Sequence, residues 1–365
     1  MTTILRRTPL YEAHVRLGGR MVPFAGWEMP VQYQGILAEV RAVRTTAGIF
    51  DVSHMGRIAV EGPDAIALLA WVHTGDVGEQ MAVGRARYGL LCNEQGGIID
   101  DGIVYRLGQE RFLLVANASN TAQVLAWLTH WRDARFPTAT VEDQTDLTAM
   151  IALQGPGALA AIARISDFDP SAVRPYRCAR AFIQGRSLLV ARTGYTGEDG
   201  VEVMPSAEDA AWLWGLLMEQ GAAPCGLGAR DVLRLEAALP LHGADIGPAT
   251  NPIEAGLERF VVSGHSFCGA DAVRQAQASG PTRRLVGFEC AGEGPIPRHG
   301  STLVADGQVV GEVTSGGYSP TLDRTIGLGY VPVRLASPGT RLHVDIRGKL
   351  AEAAVVSLPF YSRRK

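Results

Sequence analysis

Cysteine is scarce in this sequence and arranged to no joint purpose. The five cysteines, Cys92, Cys178, Cys225, Cys268 and Cys290, are odd in number, far apart and free of C-x-x-C spacing. That excludes a disulfide framework and a thiolate zinc site, and makes a reducing compartment the expectation. The eight histidines show neither H-x-H nor H-E-x-x-H spacing, so no metal is expected. G-x-S-x-G is missing, and no glycine-rich segment has the strand-to-helix setting of G-x-G-x-x-G. Serine-hydrolase and dinucleotide chemistry are set aside with them. No apolar run approaches the roughly 18 residues of a membrane-spanning helix. The opening MTTILRRTPLYEAH lacks the charged-then-apolar order of a secretion signal, and a cytoplasmic protein is expected. An excess of one charge is lacking too. Lys and Arg number 34 against 37 Asp and Glu, a formal net charge of −3, which gives no reason to expect nucleic acid or an anionic membrane as partner.

Apolar residues and glycine are plentiful. With 365 residues, 47% of them apolar, the chain can bury the cores of two or three domains. Its 43 glycines and 20 prolines predict many tight turns and short elements. Arg20 to Tyr33 (RMVPFAGWEMPVQY) is too broken for a long helix and reads as loops and short strands. Ile36 to Thr46 has apolar residues at helical spacing, with Gly48 placed as its C-terminal cap. Asp51 to Ala65 predicts a strand, a turn at Gly62-Pro63 and a helix opening at Asp64.

The stretch Tyr88 to Tyr105, YGLLCNEQGGIIDDGIVY, organises what surrounds it. The turn-type cluster Asn93 to Gly97 lies between Leu90-Leu91 and Ile98-Ile99, the pattern of a β-hairpin, so Asp100 and Asp101 fall on the returning strand. Successive strand side chains face opposite ways, which predicts that the pair splits and sets one carboxylate against an apolar interior. A buried carboxylate is costly without a partner or a task. A turn-supporting Asp beside a solvent-facing one satisfies the same pattern.

A second arrangement occurs twice. Ile58 to Leu69 (IAVEGPDAIALL) and Met150 to Ile162 (MIALQGPGALAAI) both read strand, Gly-Pro, then Ala/Leu helix. Downstream, GGIIDDGIVY, RFLLVANASN and TAQVLAWLTHW are matched by TGYTGEDG, VEVMPSAED and AAWLWGLLMEQ. Two related αβ units, each an antiparallel sheet backed by helices, would fill the chain to about residue 240. From Thr282 on, short strands alternate with Gly, Asp-Gly and Pro turns, which predicts a β-barrel or sandwich of roughly 80 residues.

Four features carry chemistry. The first is the Asp100/Asp101 strand. The second is RTGYTGEDGVE, Arg192 to Glu202, whose glycines force a tight backbone and deliver Tyr195 and Glu202 from its flanks. It lacks the Lys-Ser/Thr ending of a phosphate loop, and its carboxylates would repel phosphate, so its charge suits a ligand with N–H donors. The third is Arg230, at the start of a helix over Ala229 to Ala238. There it opposes the helix dipole and is either paired or kept for a ligand carboxylate. The fourth is Tyr88, before the hairpin; for any single tyrosine, Tyr88 and Tyr195 included, ordinary core packing is the commoner use. His54, in DVSHMG, reads as a hydrogen-bonded structural histidine.

Taken together, FAGWEMPVQY, DVSHMG, NEQGGIIDDGIVY, ALQGP, RTGYTGEDGVE, GLGARDVLRLEA, NPIEAGL and TSGGYSPTLDRTIGLGYV, in this order from Thr8 to Tyr361, resemble the aminomethyltransferase family, the T-proteins of the glycine cleavage system. The resemblance implies an α+β fold, a three-domain cloverleaf with two αβ units built on antiparallel sheets and a C-terminal β-barrel or jelly-roll-like domain. It implies a discontinuous first domain of residues 1–51 and 146–250, a second of 52–145 carrying the hairpin, a linker over 251–281, and the barrel over 282–365. The implied reaction moves the methylene carbon of aminomethyl-lipoyl H-protein to tetrahydrofolate, releasing ammonia and dihydrolipoyl H-protein, with no metal. Asp101 matches the family's catalytic aspartate. Glu202 matches the acid that holds the pterin, whose adjacent N–H and amino group form a fork that a carboxylate accepts. Tyr88, Val115, Asn117, Tyr176, Tyr195 and Arg230 fall where the family lines the folate, and Arg363 near the C-terminus joins them. The chain departs from the pattern at Gly89, where Ser or Thr is common, at Ala238 in place of Gly, at His242 in place of Tyr, and at Ala270 in place of Lys. Two other readings are a folate-dependent demethylase of the same superfamily and a non-catalytic folate-binding iron-sulfur assembly factor. The Cys-containing signature of the latter does not replace RTGYTGEDG here.

Overall fold

The structure, a computed structural model, describes residues 4–292 and 294–363. They form two compact units. The first runs to Gly89 and takes in Asp100–Gly194 and Glu198–Arg230; the second comprises Leu90–Ile99, Tyr195–Gly197 and the chain from Asp231 on.

The chain opens with strand β1 (Arg6–Arg7), helix α1 (Tyr11–Arg16) and a hairpin of β2 (Arg20–Phe24) and β3 (Trp27–Gln32). Short strands were the expectation for this broken stretch. The hairpin turns on Ala25 and Gly26, at φ +48° and +81°, the left-handed pair that a two-residue turn between twisted strands demands. Helix α2 (Ile36–Thr45) forms where the apolar spacing predicts it, but Gly48 does not cap it. Gly48 is the first residue of β4 (Gly48–Asp51). A Cβ there would lie 2.5 Å from Val43 and 2.8 Å from Cys225 Sγ, so glycine serves the close packing of strand on helix rather than a helix end.

Next come β5 (Gly56–Glu61), α3 (Ala65–Val72) with Asp64 at its N-cap, β6 (Ala86–Cys92), β7 (Ile98–Arg106), β8 (Arg111–Ala116), α4 (Thr121–Arg135) and β9 (Thr140–Asp143). The strands form a five-stranded sheet in the order β6-β7-β8-β5-β9, antiparallel from β7 through β9. Then β10 (Ile151–Gln154), α5 (Ala158–Ala163), β11 (Cys178–Ile183), β12 (Arg186–Ala191), β13 (Gly200–Met204), α6 (Ala210–Glu219) and β14 (Ala223–Pro224) follow. With β4 they build a six-stranded sheet, β11-β12-β13-β10-β4-β14, antiparallel except for the short edge pair β4 and β14. Ile151, Leu153, Val201 and Val203 of this sheet pack against Leu213 and Trp214 of α6 in one core, each large side chain contributing about 1.5–3 kcal/mol.

The repeat read from sequence is present in the topology: β5-α3 corresponds to β10-α5, and β8-α4 to β13-α6. One equivalence shifts. The carboxylate strand β7 corresponds to β12, whereas TGYTGEDG, read as its counterpart, is the connection from β12 to β13. A glycine run marks a reversal in both copies, and composition does not say which side of the reversal holds the strand. The two sheets join through a bridge between Arg85 and Arg177. Beside it the Ala86 N–H donates to Tyr176 O at 2.9 Å and the Cys178 N–H to Gly84 O at 2.8 Å. Arg57, 1% exposed, ties the two chain crossings between the sheets. Its guanidinium donates to the carbonyls of Ser53, Met55, Thr145 and Thr148 and to the Thr148 hydroxyl.

Helix α7 (Leu227–Glu236) and helix α8 (Ala270–Ser279) precede the barrel. Strands β15 (Arg283–Cys290), β16 (Thr302–Ala305), β17 (Gln308–Ser319), β18 (Arg324–Pro332), β19 (Arg341–Ile346) and β20 (Lys349–Val356) close in the order β15-β18-β17-β16-β19-β20. Phe288, Leu303, Val313, Val331, Leu342 and Val344 fill it. The register shifts between Val313 and Ser315, and at this irregularity Thr314 and Ser315 both donate to Asp245 Oδ1, at 2.5 and 2.7 Å. Arg234 of α7 holds the other oxygen at 2.7 Å. The hairpin tip also lies in this unit. Asn93 Oδ1 accepts the Gln95 and Gly97 N–H groups, and a Cβ at Gly97 would sit 2.0 Å from Pro248 O. Among the described residues no helix is long and apolar enough to cross a membrane.

Candidate active site

The hairpin returns along β7 with Asp100 at 0% and Asp101 at 9% exposure. Asn117, the first residue past β8, meets both. Asp100 accepts the Asn117 N–H at 3.0 Å, Asn117 Nδ2 at 2.8 Å and Asn120 Nδ2 at 3.0 Å. Asp101 accepts Asn117 Nδ2 at 2.9 Å and the Tyr88 hydroxyl at 2.9 Å. The pair therefore does not split as strand alternation predicts. Asn117 presents a backbone N–H and a side-chain amide at one place where the ladder ends, and Gly102, whose Cβ would lie 2.6 Å from Val115 O, lets the strands approach closely enough for both carboxylates to reach it. Burial pushes the Asp100 carboxyl above the ordinary aspartate range, while the hydrogen bonds from Asn117 and Asn120 draw it back.

Glu202 stands in the middle of β13, between Ala152 of β10 and Ala191 of β12, and is 5% exposed. Its Oε2 accepts the Thr193 hydroxyl and, at 3.4 Å, the Tyr105 hydroxyl, and those two hydroxyls lie 3.1 Å apart. None of the described residues donates to Oε1. Burial raises the Glu202 carboxyl above its usual range, and Thr193, Arg230 and Tyr105 oppose the shift. Thr193 is fixed in turn by Gln154, whose Nε2 donates to Thr193 O at 3.1 Å. Sequence reasoning passed over Thr193, Tyr105, Gln154 and Asn120. All four lie in or beside quoted motifs, but no spacing connects them to the carboxylates they support.

The glycine-rich connection is less acidic than its sequence suggests. Glu198 pairs with Arg44 at 2.9 Å and Asp199 with Arg192 at 2.7 Å, so the loop's own charges are taken up and Glu202 is the carboxylate left to accept a donor. The partner of Glu198 lies 154 residues away, beyond any local pattern. Arg230 is half-buried on α7, and its positive charge lowers the proton affinity of both Glu202 and His54. His54 is not the hydrogen-bonded histidine expected. It is 2% exposed with Nδ1 unpartnered, and its ring packs edge-on against Phe24 at 5.6 Å. Burial brings it down to about 4.

Of the residues singled out from sequence, Tyr88, Asp101 and Asn117 are thus in direct contact, and Glu202 and Arg230 interact electrostatically. Val115 is buried in β8 opposite Arg57 and Ile103. Tyr176, 52% exposed and at φ +56°, sits at the bridge between the sheets, and its side chain hydrogen-bonds to none of the other candidates. Tyr195 and Arg363 belong to the second unit. There the Tyr195 hydroxyl donates to Pro240 O at 2.5 Å, and Arg363 is exposed.

The departures have local explanations. A Cβ at Gly89 would lie 2.3 Å from the His73 ring, so the histidine fills the space a Ser or Thr would use. Ala238 adopts φ +54°, a conformation that favours the absent glycine. His242 Nε2 lies 3.3 Å from Ile98 O, and Ala270 is the buried first residue of α8.

Two like αβ sheets, a closed terminal barrel and the buried carboxylates Asp100, Asp101 and Glu202 are the setting of an enzyme site, and the relatives make it a transferase. Residues 10–264 match the family model of the GCVT N-terminal domain, and residues 283–362 that of the glycine cleavage T-protein C-terminal barrel domain. The chain is similar to aminomethyltransferases of Symbiobacterium thermophilum, 47% identical over 99% of this chain and 98% of that one, and of Geobacillus kaustophilus, 46% identical over 99% and 100%. The crystal structure of glycine cleavage system aminomethyltransferase T from Bartonella henselae superposes with a TM-score of 0.92 at 38% identity, covering 99% of each chain. The chain belongs to the aminomethyltransferase family, the T-proteins of the glycine cleavage system.

Proposed function

We infer that this chain transfers the methylene carbon of aminomethyl-lipoyl H-protein to tetrahydrofolate, giving methylene-tetrahydrofolate, ammonia and dihydrolipoyl H-protein. The observation that carries this reading is the state of Glu202: a buried carboxylate with one oxygen held by Thr193 and Tyr105 and the other open. Such a group suits the adjacent N–H and amino group of a pterin, and the positive charge of Arg230 nearby favours its ionised form against the effect of burial.

Asp101 is the reacting-site carboxylate, held by Tyr88 and Asn117. Ammonia leaves carbon readily only if the carbon becomes cation-like, and the attacking nitrogen must be unprotonated. A fixed carboxylate beside the carbon positions the acceptor, takes up or relays the proton and stabilises the developing charge. Tyr88, Val115, Asn117, Tyr176 and Arg230, all of the first unit, line the folate in this reading. In this reading the six-stranded sheet, the five-stranded sheet and the barrel are the centres of three domains, 1–51 with 146–250, 52–145 and 282–365, with 251–281 as linker. The cysteines are all free, which suits the reducing cytoplasm that dihydrolipoyl chemistry needs.

The test is a coupled assay for ammonia and methylene-tetrahydrofolate with H-protein carrying aminomethyl-lipoate. Formation of both in equal amounts is expected. Folate binding without either product, together with turnover of a methylated donor, would replace this reading with that of a demethylase.

A further inference from the structure

We propose that Asp100 is a positioning residue for the transfer, acting on Asp101 through the side-chain amide of Asn117. The proposal rests on the reading of Asp101 as the reacting carboxylate. Asn117 Nδ2 lies 2.8 Å from Asp100 Oδ1, 2.9 Å from Asp101 Oδ1 and 3.0 Å from Asp101 O. Only a donor can serve three oxygens, so the amide has one orientation, with its NH2 turned to the aspartates and its Oδ1 turned away. An inverted amide would set oxygen against two carboxylates.

Asp100 is the anchor of this arrangement and not a contact for substrate, since it is fully buried. Its own place is set by the Asn117 N–H at Oδ2, Asn120 Nδ2 at Oδ1 and the backbone N–H of Asp101, none of which needs the Asp101 carboxylate. These donors allow a carboxylate to remain inside the sheet. The constraint then runs outward: Asn120 and the Asn117 backbone hold Asp100, Asp100 holds the Asn117 amide, and the amide holds Asp101 on one side while Tyr88 holds it on the other. The fixed amide has a second consequence. Asn117 Oδ1 is presented as an acceptor, so a group bound against it must bring a donor, as an aminomethyl ammonium or a folate N–H does. Tyr88, from β6, is a titratable group in contact with the pair.

A residue that only supports the turn would affect folding and leave the chemistry of the folded fraction alone. A positioning residue separates kcat from KM. In Asp100→Asn, kcat per folded molecule is expected to fall roughly 10- to 100-fold, the scale of a misplacement of about 1 Å, while KM for tetrahydrofolate stays within about twofold. An unchanged kcat, or a rise in KM with kcat retained, overturns the proposal. A second readout needs no turnover: the two side-chain amide protons of Asn117, followed by 15N–1H NMR. They should be separate and slowly exchanging in the native chain and averaged or fast-exchanging in Asp100→Asn. The same spectrum in both proteins overturns the positioning role. The expected change in a chain that shows no transfer leaves positioning intact and removes the functional reading instead. Should Asp100→Asn fail to fold, Asn120→Ser loosens Asp100 from its outer side, and a several-fold fall in kcat at constant KM is expected. No change in that variant overturns the proposal.

Discussion

Thr193 and Glu202 meet through a single oxygen: the hydroxyl donates to Oε2, Tyr105 approaches the same atom at 3.4 Å, and Oε1 has no donor among the described residues. The acceptor edge of the site is thereby set by two residues that need never touch the ligand. Thr193→Val leaves the buried carboxylate with one donor fewer, at about 1–2 kcal/mol. KM for tetrahydrofolate should rise roughly tenfold with kcat nearly constant, and Thr193→Ser should restore it. Glu202→Gln presents an NH2 to the pterin donors, so folate affinity measured by calorimetry should fall at least about 100-fold.

Asp101→Asn keeps the shape of the side chain and removes its charge. With folate affinity held near the native value, turnover in the ammonia assay should drop by about 100-fold or more, as for loss of a group that acts in the transition state. Native turnover in this variant would exclude the catalytic role proposed for Asp101.

His54 gives a pH signature to stability. Burial lowers its folded value to about 4, whereas the unfolded imidazole titrates near 6.5. Between these limits the unfolded chain binds the proton and the folded chain does not. Stability is therefore fully present above about pH 6.5 and falls as pH drops toward 4, by an amount on the order of 3 kcal/mol. Urea unfolding across this window should show the slope in the native chain and a flatter one in His54→Gln. Asp51 behaves oppositely in origin. Burial works to raise it, but His14, Ser53 and Thr8 hold it at about 2, so its contribution is present above about pH 4 and is lost below that.

Gly89 and His73 share one volume, with 2.3 Å between a built Cβ and the imidazole. Gly89→Ser should destabilise the chain by about 1–3 kcal/mol through overpacking. A double-mutant cycle with His73→Ala should recover most of that loss, because the ring is what the new side chain meets.

Ala238 holds φ +54° at a cost of about 1 kcal/mol for a residue with a Cβ. Ala238→Gly should raise the thermal midpoint by a few degrees without altering kcat. An unchanged or lower midpoint would show that the strain is relieved in some other way.

Much of the architecture was written in short-range pattern. The Asn93–Gly97 hairpin, the Asp64 N-cap of α3, the αβ repeat and the alternation of the barrel strands depend on neighbours within a few residues, where period and turn chemistry operate. The motifs RTGYTGEDGVE and NEQGGIIDDGIVY likewise marked Glu202 and Asp101. Tertiary structure alone decided how the carboxylates are used. Asn117 draws Asp100 and Asp101 together although alternation parts them, Arg44 neutralises Glu198 from 154 residues away, and Thr193 with Tyr105 closes one oxygen of Glu202 and leaves the other open. Propensity and periodicity act along the chain. The availability of a charged oxygen depends on which donors the fold brings to it, and here those donors come from separate strands and loops.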